Sequence, residues 1–161
     1  MKYIECPNEI DLNNKIALFL AGGITSCPVW QDYVVEKLAE IKNNDFVVLN
    51  PRRKNFDVTD SNMNKAQIAW EYKYLNLRDR FTFITELFFW FPKETLCPIT
   101  LFEYGKALGQ NRKQILVGCD LEYKRLEDIK TQTKLANPYT KVHTSLDIMI
   151  SFALCKYSYL D

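Results

Sequence analysis

Glu103, in the run Pro98-Ile99-Thr100-Leu101-Phe102-Glu103-Tyr104-Gly105, is the residue of this 161-residue chain best placed to do chemistry. Pro98 suits the first position of a helix, where its missing N–H costs nothing. Glu103 then falls about one turn in, and the partial positive charge of a helix N-terminus favours an ionised carboxylate. Beside a pocket, such a carboxylate can attack a sugar carbon and hold it as an ester. Gly105 would let a ligand or another backbone approach closely. Taken alone, the position suits even better a glutamate that only complements the helix dipole.

A second acid, Glu71, lies in Gln67-Ile68-Ala69-Trp70-Glu71, on the helix before. Glycosidic cleavage uses two acids, one attacking the anomeric carbon and the other assisting the leaving group. By itself Glu71 reads better as part of a solvated helix face. Asp79, two turns later, is a further candidate. Trp30 and Gln31 follow the pair Gly22-Gly23, and a ring beside an amide could stack on a base and hydrogen-bond its edge. Trp30 also falls on an apolar helical stripe with Val34, Leu38 and Ile41, so a core role fits it equally well. Arg52 and Arg53 could meet a base carbonyl or a phosphate, or simply be solvated.

Other chemistries find less support. Gly22-Gly23 lacks the G-x-G-x-x-G spacing of a dinucleotide site, and the chain has no Walker loop. A single histidine, His143, argues against histidine-rich metal sites and Ser-His-Asp catalysis, and reads as a surface or boundary residue. Cys97 is read as a bystander near Glu103. Five widely spread cysteines with no C-x-x-C pair suit free, buried thiols in a reducing, cytoplasmic setting. Lys plus Arg number 21 against 20 acids, so charge gives no reason to expect a nucleic acid polymer or an anionic membrane as partner. No apolar run approaches the roughly 20 residues of a membrane span, and Met1-Lys2-Tyr3-Ile4-Glu5 lacks a signal core.

These residues need a frame. Apolar runs at Lys15–Leu20, Phe46–Leu49, Glu86–Phe91 and Gln114–Val117 read as strands, with a short extended piece near Lys141-Val142-His143. Helical patterns fall at about Pro28–Lys42, Ala66–Arg80, Ile99–Gln110 and Ser145–Tyr157, with Ser145 as an N-cap. Arg52–Asn62 reads as a loop, and a polar, charged segment with no assigned element follows Val117. Continuous apolar strands alternating with helices predict an α/β fold with a mainly parallel sheet of about five strands, helices on both faces, in one domain over 1–161. Ligands of such sheets bind beyond the carboxyl ends of the strands. That directs attention to Gly22–Trp30, Asn50–Arg53 and Pro92–Glu103.

Several runs together resemble the nucleoside 2-deoxyribosyltransferase family: Phe19-Leu20-Ala21-Gly22-Gly23-Ile24, Trp30-Gln31, Asn50-Pro51-Arg52-Arg53, Gln67 with Trp70-Glu71, Phe89-Trp90-Phe91-Pro92 and Cys97 to Gly105. The resemblance spans about residues 15 to 120. It implies a flavodoxin-like doubly wound sheet and a glutamate nucleophile, which maps onto Glu103. It implies a covalent deoxyribosyl-enzyme with retained stereochemistry, and a second carboxylate for the base proton, mapped onto Glu71. Base contacts would come from Asn50, Arg52 and Arg53. Phe19 stands where family members often carry a tyrosine. Glu94 stands in for an acid that often precedes the nucleophile and holds the sugar. Arg80 to Thr85 looks inserted.

The expected partners are a small nucleoside or nucleotide and a free nucleobase, in a homo-oligomer whose neighbouring subunits close the pocket. The reaction needs neither metal nor organic cofactor. Two rivals stay open. One is a nucleotide N-hydrolase using water, with a 5′-phosphate held by the Gly22-Gly23 backbone, Ser26 or an arginine. The other is a non-catalytic nucleotide-binding module on the same fold.

Overall fold

A computed structural model describes residues 1–55, 60–77, 85–110, 112 and 114–158. Six strands and five helices occur among them: β1 (Lys2–Glu5), β2 (Ile16–Gly22), α1 (Trp30–Leu38), β3 (Phe46–Asn50), α2 (Ser61–Leu75), β4 (Thr85–Phe91), α3 (Pro98–Gly109), β5 (Ile115–Cys119), α4 (Leu126–Ala136), β6 (Val142–His143) and α5 (Leu146–Ser158). The strands form one sheet in the order β1-β3-β2-β4-β5-β6. Every pairing is parallel. The expected α/β, doubly wound, flavodoxin-like sheet is present, with one strand more than expected.

Both faces of the sheet are covered, which is why its strands are apolar throughout rather than alternating. Successive side chains point to opposite faces. Phe19 and Ala21 of β2, with Leu87, Phe89 and Phe91 of β4, pack under α2, α3 and α4, against Trp70, Tyr74, Tyr104 and Ile129. Leu18 and Leu20, with Phe88 and Trp90, face the other way, toward Trp30, Val34 and Leu38 of α1 and Met149, Ile150 and Tyr157 of α5.

Three elements differ from the sequence reading. β1 pairs with β3 at the sheet edge, Lys2 opposite Val47 and Glu5 opposite Asn50. Its mixed, half-buried residues carry no apolar run to announce it. α2 begins at Ser61 inside the stretch read as loop. Asp60 caps it, accepting from the N–H groups of Asn62 (2.8 Å) and Met63 (3.2 Å), and its first turns are polar because they lie at the surface. The charged stretch after β5 folds as α4. Only Ile129 and Thr133 of that helix are buried, too sparse a stripe to read from the sequence. Acids in its first turn (Glu127, Asp128) and Lys134 in its last complement the dipole.

At the other end of α2, the buried guanidinium of Arg112 donates to the carbonyls of Leu75 and Thr85. It thereby ties the end of α2 to the start of β4. Gly22 is required where it stands. A Cβ there would lie 2.4 Å from the Trp90 carbonyl oxygen and 2.5 Å from the Trp30 ring.

Candidate active site

The strand order reverses direction between β2 and β4, and the connections that leave these two strands diverge to opposite faces of the sheet. A crevice must open at their carboxyl ends. A cleft of about 440 Å³ lies there, floored by Phe19, Ala21, Gly22 and Gly23 and walled by residues of α2, the segment before α3 and α3 itself. Glu71 and Glu103 both line it. A smaller cleft of about 260 Å³ between α2 and α3 shares Ile68, Glu71, Ile99 and Glu103 with the first. The two carboxylates therefore stand on the partition between two hollows.

Packing sets their direction. On α3 the buried residues are Thr100, Tyr104, Ala107 and Leu108. The Tyr104 ring meets Phe89 and Phe91 edge-on at 5.0 and 5.8 Å. Its hydroxyl pairs with Thr133 Oγ1 at 2.6 Å, and Thr133 donates to the Ile129 carbonyl at 2.5 Å. This buried network fixes the roll of α3, which leaves Glu103 facing α2. On α2 the Trp70 indole donates to the Asn8 carbonyl (2.7 Å) and stands 5.7 Å from the Phe19 ring. Tyr74 is tied to Ile10 by hydrogen bonds of 3.0 and 3.2 Å. Glu71, next to Trp70, turns toward α3. Gln67, one turn earlier, donates from Nε2 to Glu71 Oε1 at 2.9 Å.

The electrostatics reverse one expectation. The helix position suggests an ionised Glu103. Burial outweighs it: withdrawal from water, then the neighbouring Glu71 charge, pushes the Glu103 carboxyl up to about 8, with Lys106 pulling the other way. Burial also raises Glu71, opposed by the Gln67 hydrogen bond. A pair of carboxyl groups held this way keeps a proton at neutral pH. Cys97, the residue before α3, lines the cleft too, but burial pushes its thiol up to about 12. It is a protonated bystander at neutral pH. Among the described residues no three His, Cys, Asp or Glu side chains gather as a metal ion requires.

The other residues singled out from sequence divide into two groups. Gly22, Gly23 and Arg53 line the cleft. Trp30, Gln31, Asn50 and Arg52 stand behind its wall, linked by hydrogen bonds. Trp30 is 4% exposed, stacked on Phe88 at 6.1 Å, and donates to the Gly23 carbonyl at 2.9 Å. Gln31 donates to the same oxygen at 3.1 Å. Arg52 reaches Gln31 Oε1 (3.2 Å) and the Pro28 carbonyl (2.8 Å). Asn50 accepts from the Arg52 N–H at 2.9 Å. Glu94 is exposed and lies outside the lining. Asp79 lies outside the described residues. His143 is buried rather than at the surface, 4.9 Å from the Phe152 ring.

Asn64, Gln67, Thr95 and Thr100 line the cleft and were not singled out as site residues. One signal existed. Asn64, Gln67 and Glu71 recur at i, i+3 and i+7, the spacing that brings side chains to one face of a helix.

Residues 15–123 match the family model described as "Nucleoside 2-deoxyribosyltransferase like". A search of curated proteins finds no match.

Proposed function

The chain belongs to the nucleoside 2-deoxyribosyltransferase-like family, and on that premise we propose that it cleaves the N-glycosidic bond of a 2′-deoxynucleoside and passes the sugar to another nucleobase. The observation supporting this reading is that Glu71 and Glu103 open on one cleft at the carboxyl ends of β2 and β4. In the first step a Glu103 oxygen bonds to C1′ as the C1′–N bond breaks. The departing electron pair stays on the base nitrogen, which takes the proton of Glu71. In the second step an incoming base gives its N–H proton to Glu71 and attacks C1′. The ester bond then breaks and Glu103 is freed. Two inversions retain the configuration. The scheme needs Glu103 ionised and Glu71 protonated; because burial pushes the Glu103 carboxyl up to about 8, the one proton of the pair has to pass from Glu103 to Glu71 before the attack.

Within this reading Gly22, Gly23, Arg53, Asn64 and Gln67 contact the substrate. Trp30, Gln31, Asn50 and Arg52 shape the wall. Product analysis with and without a free acceptor base tests the transfer step. The expected result is a new nucleoside of retained configuration when acceptor is present. Free deoxyribose alone, at the same rate with or without acceptor, would replace transfer by hydrolysis. Base binding with no release in either case would leave a binding module.

We also propose that the protein is a homo-oligomer. Ile68, Tyr72, Ile99 and Phe102 stand exposed around the clefts, an apolar surface of the kind that a second copy covers. Sedimentation should give a dimer or larger assembly, and Phe102→Asp should shift it toward monomer. A wild-type monomer at micromolar concentration counts against this.

A further inference from the structure

The hydroxyl of Thr100 has no task in the fold. Thr100 lies in the first turn of α3, lines the larger cleft and is only 5% exposed. Tyr104, one turn on, anchors that side of the helix in the core. A threonine in a helix commonly turns its Oγ1 to a carbonyl three or four residues back. Here both of those carbonyls already accept a hydrogen bond. Leu96 accepts from the Tyr123 hydroxyl at 2.9 Å, and Cys97 accepts from the Leu101 N–H at 2.9 Å. Thr133 on α4 shows the contrast, since its Oγ1 donates to the Ile129 carbonyl and pairs with the Tyr104 hydroxyl. Among the described residues nothing partners Thr100 Oγ1, and this oxygen is not sealed from solvent as Thr85 Oγ1 is. The other hydroxyls of the lining differ. Thr95 accepts from the Cys97 N–H at 3.4 Å, and Thr25 is exposed.

We propose that Thr100 Oγ1 binds the 3′-hydroxyl of the deoxyribose, as a substrate-binding residue that selects for that group. The inference rests on the reading above in which Glu103 attacks C1′. An in-line attack reaches C1′ from the face of the sugar opposite the departing base. In a β-nucleoside the 5′-carbon stands on the same face as the base, and the 3′-hydroxyl stands on the opposite one. A helix surface that presents the attacking carboxylate therefore also meets the 3′-hydroxyl. Thr100 precedes Glu103 by three residues, and side chains at that spacing are neighbours, with Cβ atoms about 5–6 Å apart. The 3′-oxygen lies within such a span of C1′. A threonine hydroxyl can donate and accept, so it matches a sugar hydroxyl in either sense. Its burial beside Tyr104 places the oxygen before substrate arrives, so little freedom is lost on binding.

The test uses Thr100→Val, which keeps the shape and removes the hydroxyl, and Thr100→Ser, which keeps the hydroxyl. Each is assayed on the full chain for kcat/KM of base release from a 2′-deoxynucleoside and from the matching 2′,3′-dideoxynucleoside. Every variant is compared with the wild type on the same substrate, which cancels the different lability of the two glycosidic bonds. Thr100→Val should lose about five- to thirtyfold on the deoxynucleoside and less than about twofold on the dideoxynucleoside. Thr100→Ser should stay within about threefold of the wild type on both. If Thr100→Val does not fold, Thr100→Ala is read in the same way. An equal loss on the two substrates, or no loss on either, would overturn the inference. Failure of the parent reading looks different, because the wild type then releases no base from either compound. Calorimetry in the Glu103→Gln background still reports on Thr100 in that case. Weaker binding of the deoxynucleoside alone by Thr100→Val upholds the 3′-hydroxyl contact, and unchanged affinity for both compounds overturns it.

Discussion

Replacing Glu103 by alanine is expected to cut base release from a 2′-deoxynucleoside by about a thousandfold or more, the scale on which loss of a nucleophile is felt. The argument is chemical. In the proposed scheme the sugar is held as an ester between the two displacements, and Glu103 is the carboxylate assigned that role. The Cys97 thiol, held up to about 12 by burial, is much harder to ionise than Glu103, held at about 8. Glu71 is engaged by Gln67 and is assigned the base proton. Substrate binding should change little, so the loss falls on kcat. Trapping a sugar on the wild type and locating it by mass spectrometry gives the complementary result, an adduct on the peptide carrying Glu103. Wild-type turnover in the alanine variant, or an adduct on Glu71, would refute the assignment.

The second large effect concerns stability. The folded protein keeps the Glu103 proton up to about pH 8, whereas an unfolded chain releases it near the ordinary glutamate value. Between those limits unfolding releases a proton, so raising the pH favours the unfolded state. Stability from this group is therefore fully present below about pH 4.5 and is lost as pH rises to about 8. Because Glu103 is partly reached by solvent, the loss should amount to only a few kcal/mol, about 2–4. Glu71 adds in the same direction. Glu103→Gln cannot ionise. Its melting temperature should match the wild type near pH 5 and exceed it by about 5–10 °C at pH 9. A difference that stays flat with pH would show that Glu103 is not held protonated. With the loss of activity, such a gain would mark a site that keeps function at a cost in stability.

The frame was legible where burial is extreme. β2, β3 and β4 are apolar along nearly their whole length because both faces of the sheet are covered, and such runs stand out in any sequence. β1 and α4 were not legible because each buries only a few residues. Their stability comes from pairing and packing partners distant in the chain. At the site, position along the chain identified the segments beyond the strand ends, but not the direction of each side chain. Trp30 lies eight residues beyond the end of β2 and Arg53 three beyond the end of β3. The ring of one turns into the core while the other lines the cleft. Helical spacing carried more information: Gln67 and Glu71 share a face as their numbers require. The weakened acidity of Glu103 could not be read at all, since it depends on how deeply two helices bury the carboxyl group.

Trp30 and Gln31 both fasten the Gly23 carbonyl from behind the wall. A peptide unit is a flat, rigid plate, and in its trans form the N–H points opposite to the C=O. With the oxygen secured inward, the Ile24 N–H is turned to the other side, where Ile24 lines the cleft. The plate cannot swivel without giving up two buried hydrogen bonds. A hydroxyl or carbonyl oxygen arriving at that wall thus meets a dipole whose orientation was settled when the chain folded. Such a dipole binds a polar group of the substrate without having to rearrange.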